Sequence, residues 1–450
     1  MKPPTIESKI GTIIQKALVV SEKSWLKDLQ KGCLYQVEVS VMSKLSQVYD
    51  KFMEHLLKKA STELIEVLKE KAYEEGHRNI ELRPISLYLV TGHEVKLMSP
   101  YSKKPPKSYS DPRHLLIKHW SIIGTSSPLL YRQVVHSSMI CPSYETANEL
   151  LMSFGVKICT STVRAITNRV ADYCYKQGET NLQLRQGEHV IDKRVIISLD
   201  GGRTRTREYK DSYNKYGNQE YKTPWREPKL FVIDTLNDQG NLEAEGLAIY
   251  GCKFSEEAIL KSLKQCLTKL QIQKAKEVQI TGDGAPWIWK HLKPMLLELG
   301  VVESKITETL DYYHASSYVY QLVEMMPKRI SKKKKKNYLS IFKDYLWTGQ
   351  SDKIVEECKQ VFKKTNDIIN RYMNYLSKHV NKTQYADYER HKLMKGSGIV
   401  ESGIRRIINL RFKAPASFWT KGTVEKLYFL RAAILSYRWN IVMDNLTKVN

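Results

Sequence analysis

Apolar side chains recur about every 3.6 residues through "YQVEVSVMSKLSQVYDKFMEHLLKKASTELIEVLKEKAYEEG" (35–76), which predicts long amphipathic helices across roughly the first 80 residues. The rhythm then shortens. "ELRPISLYLVTGHEVKLMSPY" is β-rich around a Thr-Gly turn and predicts a hairpin, followed by a proline-broken basic loop, "SKKPPKSYSDPRH". Helical spacing returns in "SYETANELLMSFGVKICTSTVRAITNRVADYC". Ala147, Leu150, Leu151 and Phe154 make one apolar stripe, Gly155 interrupts, and Val163, Ile166 and Val170 make a second. Those are the proportions of a helix-turn-helix, whose second helix is expected to turn Ser161, Thr162, Arg164, Thr167 and Asn168 outward. An ordinary helical hairpin with a polar face fits the same pattern.

From residue 191 the pattern is that of strands: "VIISLD", "TRTREYK", "KLFVIDTLN" and "EGLAIYG". A helix around "SEEAILKSLKQCLTKLQ" and a further strand, "EVQITGD", follow. Strands, then a helix, then a strand ending in Asp is the order of an RNase H-like α/β domain, in which the first strand and the strand after the helix lie side by side. That neighbourhood is expected to bring Asp200 and Asp283 together. Residues 315–395 are Lys-rich and amphipathic and read as a helical insertion; the Lys332–Lys336 run fits a solvated loop or a DNA contact. The expected organisation is a helical N-terminal region with a short hairpin (1–110) and a helix-turn-helix-like segment (111–185). An RNase H-like domain split between 190–314 and 396–450 follows, with the insertion (315–395) between its parts.

Charge narrows the partners. Lys and Arg total 72 against 48 Asp and Glu among 450 residues, a net charge of +24. Such a chain calls for a polyanion, and double-stranded DNA fits better than a membrane surface because no apolar run approaches the ~20 residues of a bilayer span. The first residues are too polar for a signal-peptide core. Seven scattered cysteines without a C-x-x-C pair fit a reducing cytoplasm, at the nucleoid, and argue against structural zinc.

Two carboxylates at adjacent strand ends cannot both stay ionised cheaply unless hard divalent cations lie between them. Two Mg²⁺ ions, replaceable by Mn²⁺, would suit phosphodiester chemistry there. Gly201 and Gly202 permit close approach of a backbone, and Arg203, Arg205 and Arg207 share one face by the period-2 rule, where a phosphate backbone would lie. Asp200 opening a glycine-rich hairpin beside a solvated arginine face is the plainer alternative. Asp283 likewise fits an ordinary Asp-Gly turn before a helix with Pro286 in its first turn. "MKGSGIVESGIRRIINLRFKAPASFW" offers a third carboxylate, Glu401, on an amphipathic helix buried through Val400, Ile404, Ile407 and Ile408, with small Gly398, Ser402 and Gly403 allowing close approach. Residues 391–450 hold 11 Lys and Arg against 3 Asp and Glu. Arg405, Arg406, Arg411, Lys413 and Trp419 there are DNA-contact candidates.

The order of "LDGGRTRTREY", "WREPKLFVI", "GDGAPWIW", "LDYYHA" and "GSGIVESGIRRIINLRFKAPASFW" resembles the DDE transposases of bacterial insertion sequences, in particular the ISKra-like group allied to the mutator superfamily. The resemblance implies a catalytic triad of Asp200, Asp283 and Glu401 as metal ligands. It also implies an Asp-x-x-His element at Asp311 and His314, and a protein that acts on element ends as at least a dimer. Departures are Ala416, where relatives tend to have glycine, and the missing N-terminal cysteine pairs. Such an enzyme would hydrolyse a phosphodiester and use the freed 3′-hydroxyl for strand transfer. A transposase-derived DNA-binding protein that no longer cleaves, and a structure-selective nuclease of the same fold, remain the alternatives.

Overall fold

The computed structural model describes residue 11 and residues 21–104, 113–414 and 418–448. Expectations about the first ten residues, most of the basic loop (105–112) and Ala416 lie outside these. The chain divides into two compact units, Met1–Lys176 with Met443–Asn450, and Gln177–Val442.

In the first unit, helix α1 (Leu34–Glu74) runs 41 residues. Through Tyr49, Met53 and Leu57 it packs on the antiparallel hairpin β1 (Arg78–Tyr88) and β2 (Glu94–Lys104), against Leu87, Leu89, Val95 and Leu97. Gly92 turns the hairpin at φ +86°, and a Cβ there would strike the Lys157 carbonyl. The expected helix pair is α2 (Tyr144–Ser153), capped by Ser143, and α3 (Thr160–Gln177), separated by Gly155 at φ +83°. Val163, Ile166 and Val170 are buried as their spacing predicts. The first stripe differs from expectation. Ala147 and Leu151 are buried, but Leu150 is 37% exposed, and Phe154, which lies past the end of α2 at Ser153, is 76% exposed. Thr167 corrects a second expectation: it is fully buried, its hydroxyl bonding the Val163 carbonyl at 2.8 Å and Ser138 Oγ at 3.0 Å, so it faces away from any ligand. Arg164 is exposed and Asn168 half-buried.

The second unit is built on a five-stranded mixed sheet. Strands β3 (Arg194–Gly201), β7 (Lys229–Leu236), β8 (Ile249–Lys253), β9 (Glu277–Gly282) and β10 (Ile306–Leu310) lie in the order β10-β9-β3-β7-β8. β3 pairs parallel with β9 and antiparallel with β7. Val195, Ile196, Ile197 and Leu199 are all buried, as a strand covered on both faces requires, each contributing about 1.5–3 kcal/mol. Helices α4 (Glu256–Lys269) and α5 (Pro286–Glu298) cover the sheet. Strand β4 (Thr204–Tyr213) leaves that sheet and pairs with β5 (Gln219–Lys222), β6 (Trp225–Arg226) and β11 (Trp419–Thr420).

Between β10 and the last helices stand α6 (Tyr312–Glu324), α7 (Lys332–Trp347), α8 (Ser351–Val361) and α9 (Asp367–Lys378), with an apolar core of their own. The Lys332–Lys336 run is not a loop: Ser331 Oγ caps the Lys334 N–H and α7 starts at Lys332. The chain then returns to the sheet, where Gln279 bonds both the N–H and the carbonyl of Met394, and Arg194 bonds the carbonyls of His391 and Lys392. Among the described residues no helix is long and apolar enough to cross a membrane.

Candidate metal centre

Three strand ends and one helix supply the acidic groups. The parallel register Leu199↔Gly282 puts Asp200 and Asp283 at neighbouring ends of β3 and β9, and a buried Ser198–Thr281 hydrogen bond of 2.8 Å holds that register. β10 pairs in register beside β9 and ends one residue before Asp311. Asp311 is wholly buried and acts as a clamp. Its Oδ1 caps α6 by accepting the His314 N–H at 2.8 Å, while Oδ2 accepts the Ser397 N–H and hydroxyl at 2.5 and 2.7 Å. Ser397 precedes α10 (Gly398–Gly403), which carries Glu401, and its hydroxyl also lies 3.4 Å from Glu401 Oε1. Val400, Ile404, Ile407 and Ile408 form the buried stripe their spacing predicts. Gly403 lets this segment sit on β7, since a Cβ there would come within 2.8 Å of Leu230, and residues 404–409 continue as a π-helical turn rather than the regular helix expected.

Asp311, His314 and Glu401 offer ligand atoms all within 4.8 Å of one another, with His314 Nε2 3.6 Å from Glu401 Oε1. Asp200 and Asp283, expected as ligands with Glu401, fall outside that trio, and Asp200 is tied to it through charge. Burial first, then the Asp283 charge and more weakly Glu401, push its carboxyl up to about 6, against the pull of the Gly201 N–H and His314. Burial also raises Asp283, although its bond from the Ala285 N–H and nearby His314 oppose this. Glu227, which the sequence did not single out, adds negative charge to Asp283, and its Oε1 fills the space a Cβ on Gly201 would take. Carboxylates raised by burial and then by neighbouring negative charge, with an imidazole beside them, form a donor set suited to a hard divalent cation. The fit is chemical: a cation here would offset both the burial and the Asp283 charge that raise the Asp200 carboxyl.

No protein-family profile matches the chain, and no curated protein does. In structure the chain is similar to a chain of the Drosophila P element transposase strand transfer complex. That likeness has a TM-score of 0.26 at 11% identity and covers 72% of this chain and 82% of that one. Similarity so remote leaves chemistry to the residues themselves.

Beside the acidic cluster lies a cationic strand on an aromatic layer. Arg203 and Arg205 are exposed while Thr204 and Thr206 are buried, the alternation that period 2 requires. The Arg205 guanidinium lies 4.8 Å over Trp225 and that of Arg207 4.4 Å over Tyr221, so the rings pre-order both side chains. Lys413 reaches the same Trp225 at 5.6 Å. Arg405 is exposed, and Arg406 is half-buried with a bond to the Tyr250 hydroxyl at 2.9 Å. Arg411 departs from expectation: at 1% exposure, 5.0 Å over the ring of half-buried Trp419, it is part of the packing and not a surface contact. Trp289, by contrast, is fixed to the site, its Nε1 donating to the Asp283 carbonyl at 2.8 Å.

Proposed function

We propose that this chain is a divalent-metal-dependent DNA strand transferase of RNase H-like architecture, a transposase that cuts at element ends and joins them to target DNA. The observation that carries the reading is the grouping of the Asp311, His314 and Glu401 ligand atoms within 4.8 Å of one another, with Asp200 and Asp283 at the neighbouring ends of β3 and β9 near enough for their charges to act on one another. The sheet order, with β7 and β8 antiparallel on one side of β3 and β9 and β10 parallel on the other, supports the architecture.

Asp200, Asp283 and Glu401 would hold the cations, with His314 as a further ligand or as the group that orients a water or phosphate oxygen. Bound divalent cations would supply charge neutralisation at the phosphate and a more acidic water. The residues of the chain do the rest. Asp311 fixes where Glu401 and His314 stand relative to the sheet. Arg203, Arg205 and Arg207 place the DNA backbone, and Arg164 with Asn168 contacts the element ends. Two copies would pair two ends.

The test is mobilisation in cells of a marker flanked by the DNA that borders the gene. Wild type is expected to move the marker, and Glu401→Gln to leave it in place at equal protein level. A marker that moves equally with both proteins removes Glu401 from the chemistry, and one that moves with neither favours a silent DNA-binding protein.

A further inference from the structure

A cleft of about 750 Å³ opens between the start of α5 and α9, one residue from Asp283. Its size falls in the range of sites for small organic ligands, about 300–1,000 Å³. Three rings line its inner side: Trp289, Tyr375 and His379, with the His379 ring 5.9 Å from that of Trp289 and 5.2 Å from that of Tyr375. Trp289 is anchored on the Asp283 carbonyl, and the Tyr375 ring occupies the space a side chain on Gly284 would need. The rings are therefore held in a fixed relation to the acidic cluster.

The rim is cationic and amide-bearing. Lys290, Arg371 and Lys378 stand around it with the side-chain amides of Asn370 and Asn374; Asp367 is the acidic member. Lys382 lies 5.2 Å from the Trp289 ring and 3.1 Å from Glu308, so its charge is largely spoken for. One polar atom in the lining has no partner: His379 is 8% exposed and its Nδ1 is unbonded. A buried polar atom of this kind is costly unless something satisfies it. Burial, then Lys382 and Lys378, hold His379 down to about 4, so at neutral pH it offers a hydrogen bond and no charge.

We infer that this cleft binds a nucleotide, its base against Trp289 and Tyr375 with His379 on the base edge, and its phosphate on Lys290, Arg371 and Lys378. Rings stack any base, a neutral imidazole reads a base edge, and the cations match a phosphate. An acidic peptide would use the cations but leave the rings and His379 unmatched. The nucleotide has two possible sources, an unpaired residue of the DNA strand next to the cut site or a free nucleoside phosphate. The first follows from the cleft lying one residue from Asp283, and in that form the inference rests on the strand-transfer reading.

The experiment measures anisotropy of a labelled 15-nucleotide oligothymidylate and of a duplex of equal length with the full chain. Wild type is compared with Arg371→Ala/Lys378→Ala and with His379→Phe; the first pair alters exposed residues, and the last keeps a ring while removing the unbonded nitrogen. The double variant is expected to weaken single-strand binding about 10-fold and to reduce the salt slope by about 1.4, at roughly 0.7 per phosphate contact. His379→Phe should weaken it several-fold, with duplex binding little changed for both. Thymidine 5′-monophosphate competes in a second arm. Displacement of the oligomer at micromolar levels in wild type but not in the double variant assigns the cleft to a free nucleotide, and no displacement assigns it to the strand. Single-strand binding unchanged in both variants, or lost in equal measure with duplex binding, overturns the inference. Metal-dependent cleavage is assayed on the same wild-type preparation. Cleft-dependent binding without cleavage would retain the cleft and reject the strand-transfer reading; cleavage with indifferent cleft variants would do the reverse.

Discussion

Asp200→Asn removes one charge from a half-buried cluster in which burial and Asp283 raise that carboxyl from 3.8 to about 6. Moving a carboxyl that far corresponds to about 3 kcal/mol of penalty on its ionised form. Residual solvent contact and relaxation reduce this to on the order of 1–2 kcal/mol. Because the folded-state value is raised, the folded protein holds the proton more tightly than the unfolded chain. The contribution of Asp200 to stability is then complete below about 3.8 and lost as pH rises through about 6. In chelator at pH 7.5 the wild type bears that penalty and Asp200→Asn does not. The variant should melt higher by about 2–8 °C, at roughly 2–4 °C per kcal/mol for a unit of this size. The gap should shrink toward pH 4.5. With Mg²⁺ at about 100 times its dissociation constant the order should invert, since cation binding adds about 2.7 kcal/mol to the wild type and little to the variant. Differential scanning fluorimetry at both pH values, with EDTA or Mg²⁺, reads all of this. A variant less stable than wild type in EDTA at pH 7.5, or a gap independent of pH, would refute the electrostatic account.

Asp311→Asn should behave oppositely, because its oxygens accept three donors and an amide group would face the Ser397 N–H and hydroxyl. A loss of about 1–3 kcal/mol by denaturant melting is expected, and an unchanged midpoint would deny the clamp. Arg205→Ala should weaken duplex binding uniformly across sequences and lower the salt slope by about 0.9; a sequence-selective loss in a binding titration would contradict backbone contact. Gly284→Ala must displace the Tyr375 ring and should cost about 1–3 kcal/mol, whereas Gly398→Ala, with open space around it, should change stability by less than about 0.5 kcal/mol.

Much of the sheet was legible because β3 and β7 carry apolar runs, Val195–Ile197 and Leu230–Ile233, that suit buried strands, while β9 alternates Val278 and Ile280 with polar residues and ends in the Gly-Asp turn that marks it. The placement of Asp200 and Asp283 followed from strand order alone. β10, "ITETL", is short and alternates polar with apolar residues, so Asp311 could be read only as a partner of His314 in a motif and not as the clamp on Ser397. Thr167 and Arg411 show where residue type misleads: a hydroxyl bonded within its own helix and a guanidinium stacked on Trp419 are both internal. Nor does helical spacing announce the π turn after Glu401, or a cleft joining Trp289 to His379 from 90 positions further on. Such features arise from tertiary packing, which overrides local pattern.

The most direct measurement is cleavage and strand transfer of a labelled DNA fragment carrying the sequence that borders the gene, with Mg²⁺, Mn²⁺ or EDTA, for wild type, Asp200→Asn and Glu401→Gln. Wild type should cut and join with either cation and stop in EDTA. Each variant should lose at least about 100-fold in rate while binding the fragment as well as wild type or slightly better, since a negative charge near phosphate has gone. Cleavage that persists in EDTA, or full activity in either variant, would contradict the account.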